Sequence, residues 1–241
     1  MKNIDLRGKV GVVTGSTRGI GRAIAEELGR SGATVVISGR REEDVARVVE
    51  EMKAAGHRAM GAACDVRRYD QVEHLMGLAA REAGGIDVLI NNAGIGLFAH
   101  VAEIDPDAWD EVIATNLSGV FYCSRAAIPH FRKRGGGVIV NVSSLAGKNA
   151  FAGGAAYNAS KFGLEGLSEA MMLDLRYENI KVAYVMPGSV ATEFAGREPK
   201  EDAWRLTGTD VAEVVLDILA QDRRALASRI ELRPFQPPRK D

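Results

Sequence analysis

At 241 residues, 46% hydrophobic and 26% charged, the chain has the size and composition of one globular domain with room for a sizeable core. Its 31 basic and 32 acidic side chains leave a net charge of -1, without the clustered basic surplus that nucleic-acid binding requires. Cys64 and Cys123 lie in apolar stretches without metal-ligand spacing, and His57, His74, His100 and His130 share no common spacing, so disulfide scaffolds, metal sites and a Ser-His relay are not expected. No stretch approaches the ~20 apolar residues of a membrane span and the start does not read as a signal peptide, so the expectation is a cytoplasmic protein with no membrane or nucleic-acid partner.

In chain order, 9–14, 33–38, 57–66 and 86–92 are short Val/Ile/Ala-rich runs that read as buried strands. Between them, 19–30, 42–55 and 68–83 carry apolar residues at helical spacing with Glu, Arg and Lys on the other face. A helical region follows from 106 to 134, then a strand at 137–143, a helix at 156–178, a strand at 180–188, a helix at 209–221 and a last strand at 229–234. Continuous apolar strands alternating with helices require a sheet covered on both faces. The predicted fold is α/β: a Rossmann-type doubly wound parallel sheet in a three-layer α/β/α sandwich, one domain over 1–241. Its functional crevice lies at the carboxyl ends of the strands. Residues 189–207 are weakly periodic and read as a substrate-side loop, and 234–241 as a surface tail.

The first strand runs into TGSTRGIG, Thr14 to Gly21. Gly15, Gly19 and Gly21 permit a tight turn, and the helix N-terminus at Gly15, Ser16, Thr17, Arg18, Gly19, Ile20 and Gly21 can face a pyrophosphate. Where an NAD site places a carboxylate after the second strand, this chain has Arg40 and Arg41. With Arg18 these favour the 2′-phosphate of NADP, because positive charge at a helix start opposes the helix dipole unless an anion is bound. In YNASK, Tyr157 and Lys161 lie four residues apart on one helix face, where the ammonium is expected to lower the phenol's pKa so that it can exchange a proton. Ser144, thirteen residues earlier at a strand end, can converge with Tyr157 on one carbonyl oxygen, an arrangement suited to hydride transfer.

In order and spacing, TGSTRGIG, NNAG (91–94), Asn116, Ser144, YNASK and PGSVAT (187–192) resemble the short-chain dehydrogenases/reductases over nearly the whole chain. The resemblance implies Tyr157 as general acid/base and Ser144 as stabiliser of the substrate oxygen. It makes Lys161 the holder of the nicotinamide ribose and Asn116 the anchor of a water-linked proton path. It also implies adenine contacts at Asp65 and Val66, cofactor contacts at Asn92, Ala93 and Gly94, and nicotinamide contacts at Pro187, Gly188, Val190 and Thr192.

The expected activity is NADPH-dependent reduction of a carbonyl, similar to that of 3-oxoacyl-(acyl carrier protein) reductases. The alternatives are an NAD(P)-dependent alcohol or sugar dehydrogenase of the same family and a non-catalytic dinucleotide sensor. Ile95, Leu97, Phe98, Phe151, Phe194 and Trp204 are expected to make the substrate walls apolar, and Arg132, Lys133 and Arg134 offer a basic run to an acidic carrier protein. The ending RIELRPFQPPRKD departs from the glycine-rich finish of the acyl-carrier subfamily. Apolar residues spread widely around 156–177 point to a helix-paired homodimer or homotetramer.

Overall fold

Alternation hidden inside the apolar runs decides the layering. The computed structural model describes residues 4–194, 204–222 and 224–238. Seven strands form one sheet: β1 (Val10–Val13), β2 (Thr34–Gly39), β3 (Arg58–Ala63), β4 (Val88–Asn91), β5 (Gly137–Val142), β6 (Ile180–Pro187) and β7 (Arg229–Leu232). Their order is β3-β2-β1-β4-β5-β6-β7, and every neighbouring pair is parallel.

On one face Val13, Ile37, Ile90, Val142 and Val185 pack against α1 (Gly19–Arg30), α2 (Glu42–Ala54) and α7 (Gly208–Leu219). On the other, Val12, Val36, Leu89, Ile139 and Val182 pack against α3 (Tyr69–Glu82), α5 (Gly119–Arg134) and α6 (Ala155–Leu175). Neither face meets water, so both lose polar positions and the strands read as unbroken hydrophobic runs. The three-layer doubly wound fold expected from sequence is the fold observed. Strand order reverses between β1 and β4, which opens the crevice at their carboxyl ends.

Most bounds fall within two residues of expectation, and three elements differ by more. The third strand ends at Ala63 rather than Val66, where the chain turns into α3. The helical region at 106–134 is two helices, α4 (Pro106–Ile113) and α5, joined by a π-helical turn at Ala114–Ser118. A one-residue widening leaves the hydrophobic period almost unchanged, so pattern reading passes over it. The helix expected to reach 178 ends at Leu175 and tightens into a 3₁₀ turn that stops at Asn179, the one described non-glycine residue in the left-handed region, at φ 57°.

Under the crevice a buried polar network ties β4 and β5 to α5 and α6. Asn91 on β4 donates to Asn141 Oδ1 on β5 at 2.8 Å and to Ser124 Oγ on α5 at 3.1 Å. Asn141 donates to Ser168 Oγ on α6 at 2.8 Å. All four residues are buried, so their bonds lie in a low-dielectric interior where a missing partner is costly.

Candidate active site

The crevice is a cleft of about 1320 Å³ running along the carboxyl ends of the central strands. At its centre two motifs distant in sequence are sewn together. Thr14 Oγ1 accepts from the amides of Asn92 and Ala93, each at 3.0 Å, and Asn92 Nδ2 donates to the carbonyls of Thr14 and Gly15, each at 3.0 Å. Gly15 has φ 62°, and a Cβ there would stand 2.9 Å from Ala93 Cα, so the turn admits only glycine.

Gly15, Thr17, Arg18, Gly19 and Ile20 line the cleft; Ser16 and Gly21 do not. Ser16, expected among the cofactor-binding residues, is turned toward β2. Its hydroxyl donates to Val13 O (2.7 Å) and accepts from the Ser38 amide (2.9 Å), while its own N–H donates to Ser38 O (2.9 Å). Ser16 therefore staples β1 to β2. Gly21 lies against the Asn92 amide and the Gly15 carbonyl, where a side chain would overlap both.

One end of the cleft is basic, with Arg18, Arg40 and Arg41 in its wall together with Asp65 and Val66. Each arginine has a carboxylate neighbour: Glu193 at 3.3 Å from Arg18, Glu111 at 3.9 Å from Arg40, and Glu43 and Asp44 each at 3.5 Å from Arg41. The first turn of α2 holds Glu42, Glu43 and Asp44, which suit the helix dipole and already accompany Arg41. The dipole argument for a bound anion therefore does not hold at Arg41. Exposed pairs of this kind contribute little, so these arginines can exchange a carboxylate for a stronger anion at small cost.

Sequence reading missed Arg67, which lines the same end. Arg67 holds Asp65 through a bidentate pair and Glu111 at 2.7 Å, and its guanidinium keeps the Asp65 carboxyl below the usual carboxylate range. No motif marked it, because its role depends on a contact with Glu111 44 residues away.

At the other end β5 delivers Ser144 and α6 delivers Tyr157 and Lys161. Ser144 caps a 3₁₀ turn by accepting from the Ala146 amide at 3.1 Å. The expected lowering of the Tyr157 pKa by Lys161 is not found in the chain itself. Burial pushes the phenol up, and a hydrogen bond with Ser144 opposes that rise. Lys161 Nζ instead donates to Val142 O at 2.9 Å and lies 5.7 Å from the Tyr157 ring centre; burial pulls its pKa down to about 8. A protonated phenol beside a hydroxyl and a buried ammonium can hold a carbonyl oxygen and give it a proton.

Asn116 lies outside the cleft wall, fully buried in the π-helical turn. Its Oδ1 accepts from the Ile95 amide at 2.8 Å, and its Nδ2 donates to Ile95 O at 2.9 Å and to Ser160 Oγ at 3.0 Å. In the chain it clamps the segment after NNAG to α6. Asn92, Ala93, Gly94, Pro187, Gly188, Val190 and Thr192 all line the cleft, and Thr192 stands against Gly19.

The catalytic end is aromatic. The Phe98 ring centre is 5.5 Å from Tyr157 and 5.8 Å from Phe151, and Phe194 is 5.6 Å from Tyr157. Ile95 and Phe194 line the cleft, whereas Trp204 lies outside it, with the Arg205 guanidinium 4.6 Å over its ring. The rest of the substrate-side loop, 195–203, lies outside the described residues. The basic run at 132–134 is largely engaged, since Arg132 pairs with Glu178 and Arg134 with the buried Asp87. Cys64 and Cys123 are free and buried, and burial pushes both thiols up.

Comparison with known proteins agrees with this geometry. The family model described as short chain dehydrogenase matches residues 9–203. A putative ketoacyl reductase of Streptomyces coelicolor is 38% identical over 203 residues, covering 83% of this chain and 78% of its own. The rabbit (Oryctolagus cuniculus) dehydrogenase/reductase SDR family member 4 is 38% identical over 191 residues, 79% of this chain and 74% of its own. Among solved structures, a metagenomic short-chain oxidoreductase in complex with NADP is 37% identical with a TM-score of 0.85, covering 96% of this chain and 99% of that one. The chain belongs to the short-chain dehydrogenase family of oxidoreductases.

Proposed function

We propose that the protein reduces a carbonyl group in an apolar substrate with NADPH, Tyr157 giving the proton, and that 3-oxoacyl thioesters are its first substrate class. The observation that carries this reading is the meeting of Ser144, Tyr157 and Lys161 at the end of β5, in one cleft with a glycine turn that fits a dinucleotide. The fit rests on Gly15, where a Cβ would fill the cradle, and on the start of α1, whose N-cap residue Arg18 makes no side-chain capping bond. The first turn of that helix is thus left to a pyrophosphate. Arg18 and Arg40 supply charge for a 2′-phosphate, with Arg41 beside them. When bound, the nicotinamide supplies the hydride.

Ser144 and Tyr157 hold the substrate oxygen as negative charge develops on it. Burial disfavours the phenolate, so the resting phenol carries the proton that it would donate. Lys161, cationic below about pH 8, holds the ribose and stabilises the phenolate that donation leaves. Asn116 fixes Ile95 and α6 around this group, and Asp65 and Val66 take the adenine.

Phe194 lines the cleft, and Phe98 packs against Tyr157 beside it, which favours an apolar acyl or aryl group next to the carbonyl. The printed name of the Streptomyces coelicolor relative supports the thioester class, and the NADP in the metagenomic structure supports the cofactor. Exposed Phe121 on α5 and Phe162 and Leu173 on α6 support pairing of two copies through these helices. The test is oxidation of NADPH and NADH with acetoacetyl thioesters, apolar ketones and diketones, with Tyr157→Phe alongside. NADPH-dependent, Tyr157-dependent thioester turnover is the expected result. Turnover of ketones alone removes the thioester class, and a preference for NADH removes the cofactor assignment.

A further inference from the structure

Tyr157, Lys161, Glu165 and Glu169 follow one another at four-residue intervals along α6, and the third of them has no place in the reaction derived so far. Its surroundings are specific. Glu165 Oε1 accepts from Ser143 Oγ at 3.3 Å, and Ser143 is buried. One turn earlier, Lys161 Nζ donates to the carbonyl of Val142. Successive rungs of α6 thus hold successive residues at the end of β5, and the next residue in that strand end is Ser144. The Glu165 carboxylate also lies over the backbone of Gly147, in space that a Cβ would overlap, so the 3₁₀ turn after Ser144 is shaped to admit it.

From this arrangement we infer that Glu165 is a positioning residue, the counter-charge that keeps Lys161 an ammonium and, through Ser143, anchors the strand end that presents Ser144. Lys161 is 5% exposed, and burial alone disfavours its cation. Glu165 opposes that loss. The other groups facing Glu165 are Glu169 on its own helix and Arg229 and Glu231 on β7. Glu231 is held by Lys148 at 2.6 Å and Arg233 at 2.7 Å, and Glu169 accepts from Tyr184 at 2.8 Å with Arg229 3.9 Å away. Burial pushes the Glu165 carboxyl up, and Arg229, the β7 cation that faces it, also faces Tyr184 and Glu169; on α6 itself, Lys161 lies one turn before Glu165 on the same helix face.

The titration of Lys161 stands independently of the proposed reaction, whereas its consequence for turnover rests on that reading. Glu165→Gln keeps an oxygen that can accept from Ser143 and removes only the charge; Ser143→Ala removes the tether and keeps the charge. The ε-carbon of Lys161 in the full chain without cofactor is followed by 13C NMR against pH and assigned with Lys161→Arg. In Glu165→Gln its midpoint moves down by about one pH unit or more from about 8, while Ser143→Ala and Glu165→Asp stay near the parent. In turnover the alkaline limb of the pH profile shifts by the same amount in Glu165→Gln, with activity largely recovered at lower pH. An unmoved midpoint in folded Glu165→Gln overturns the inference. So does a loss of activity equal at all pH values, which a merely structural role would produce. If the parent turns over no carbonyl compound but its midpoint still moves with the mutation, the proposed function fails and the counter-charge assignment stands.

Discussion

Asn116→Ala tests whether this residue holds the site together as well as serving the reaction. The side chain is fully buried and makes three hydrogen bonds: two close a ring with the amide and carbonyl of Ile95 and one reaches Ser160 on α6. Alanine leaves those two backbone groups without their partner, whereas the Ser160 hydroxyl loses one accepted bond and still donates to the Tyr157 carbonyl at 2.8 Å. A buried polar group left unsatisfied costs about 1–3 kcal/mol. Ile95 is half-buried and lines the cleft, so water can recover part of that loss, and the total comes to roughly 2–3 kcal/mol. For a chain of this length each kcal/mol corresponds to about 2–4 °C, so the melting midpoint should fall by roughly 4–12 °C. Scanning calorimetry on parent and variant, without ligand and at one pH, measures it. A midpoint unchanged within a degree, with activity lost, would refute the clamp and leave Asn116 a role in proton transfer alone.

Tyr157→Phe removes the proposed proton donor while keeping the ring against Phe98 and Phe194, so turnover should fall by about 10²–10⁴-fold with the melting midpoint nearly unchanged. Replacing Arg40 with Ser removes a charged partner proposed for the 2′-phosphate and should weaken NADPH by roughly 10- to 150-fold while leaving NADH within a few-fold, as read by titrating the fluorescence of the reduced cofactors. Lys161 has its pKa pulled down, so its cation is complete at acid pH and lost as pH rises; turnover should therefore fall through about pH 8, and a flat profile to pH 10 would contradict its role. Gly15→Ala adds a Cβ 2.9 Å from Ala93 Cα at a φ of 62°, and dinucleotide binding measured by calorimetry should be lost or reduced by more than about tenfold.

The layering, the strand order class and most element boundaries were legible because they depend on periodicity within single segments. Val12 and Val13 face opposite sides of the sheet, and both must be apolar when helices cover both. Gly15 was legible for a similarly local reason, since a turn at positive φ selects glycine whatever surrounds it. The Tyr157 to Lys161 interval was legible because helix geometry puts both on one face.

What tertiary structure decided depends on groups far apart in the chain. Ser16 reads as part of a phosphate loop, yet its donors are spent on Val13 and Ser38, a pairing set by the approach of β2 to β1. Arg67 sits at the basic end of the cleft between Asp65, two residues away, and Glu111 on α4, which only the fold brings to it. Spacing alone suggested that Lys161 would lower the Tyr157 pKa, but burial of both groups raises the phenol and lowers the ammonium. Desolvation is a property of everything packed around a group, and no local pattern encodes it. Residue types and intervals therefore determined which chemistry the chain can carry. Protonation, partners and the wall each residue faces were fixed only when strands and helices from all parts of the sequence closed over them.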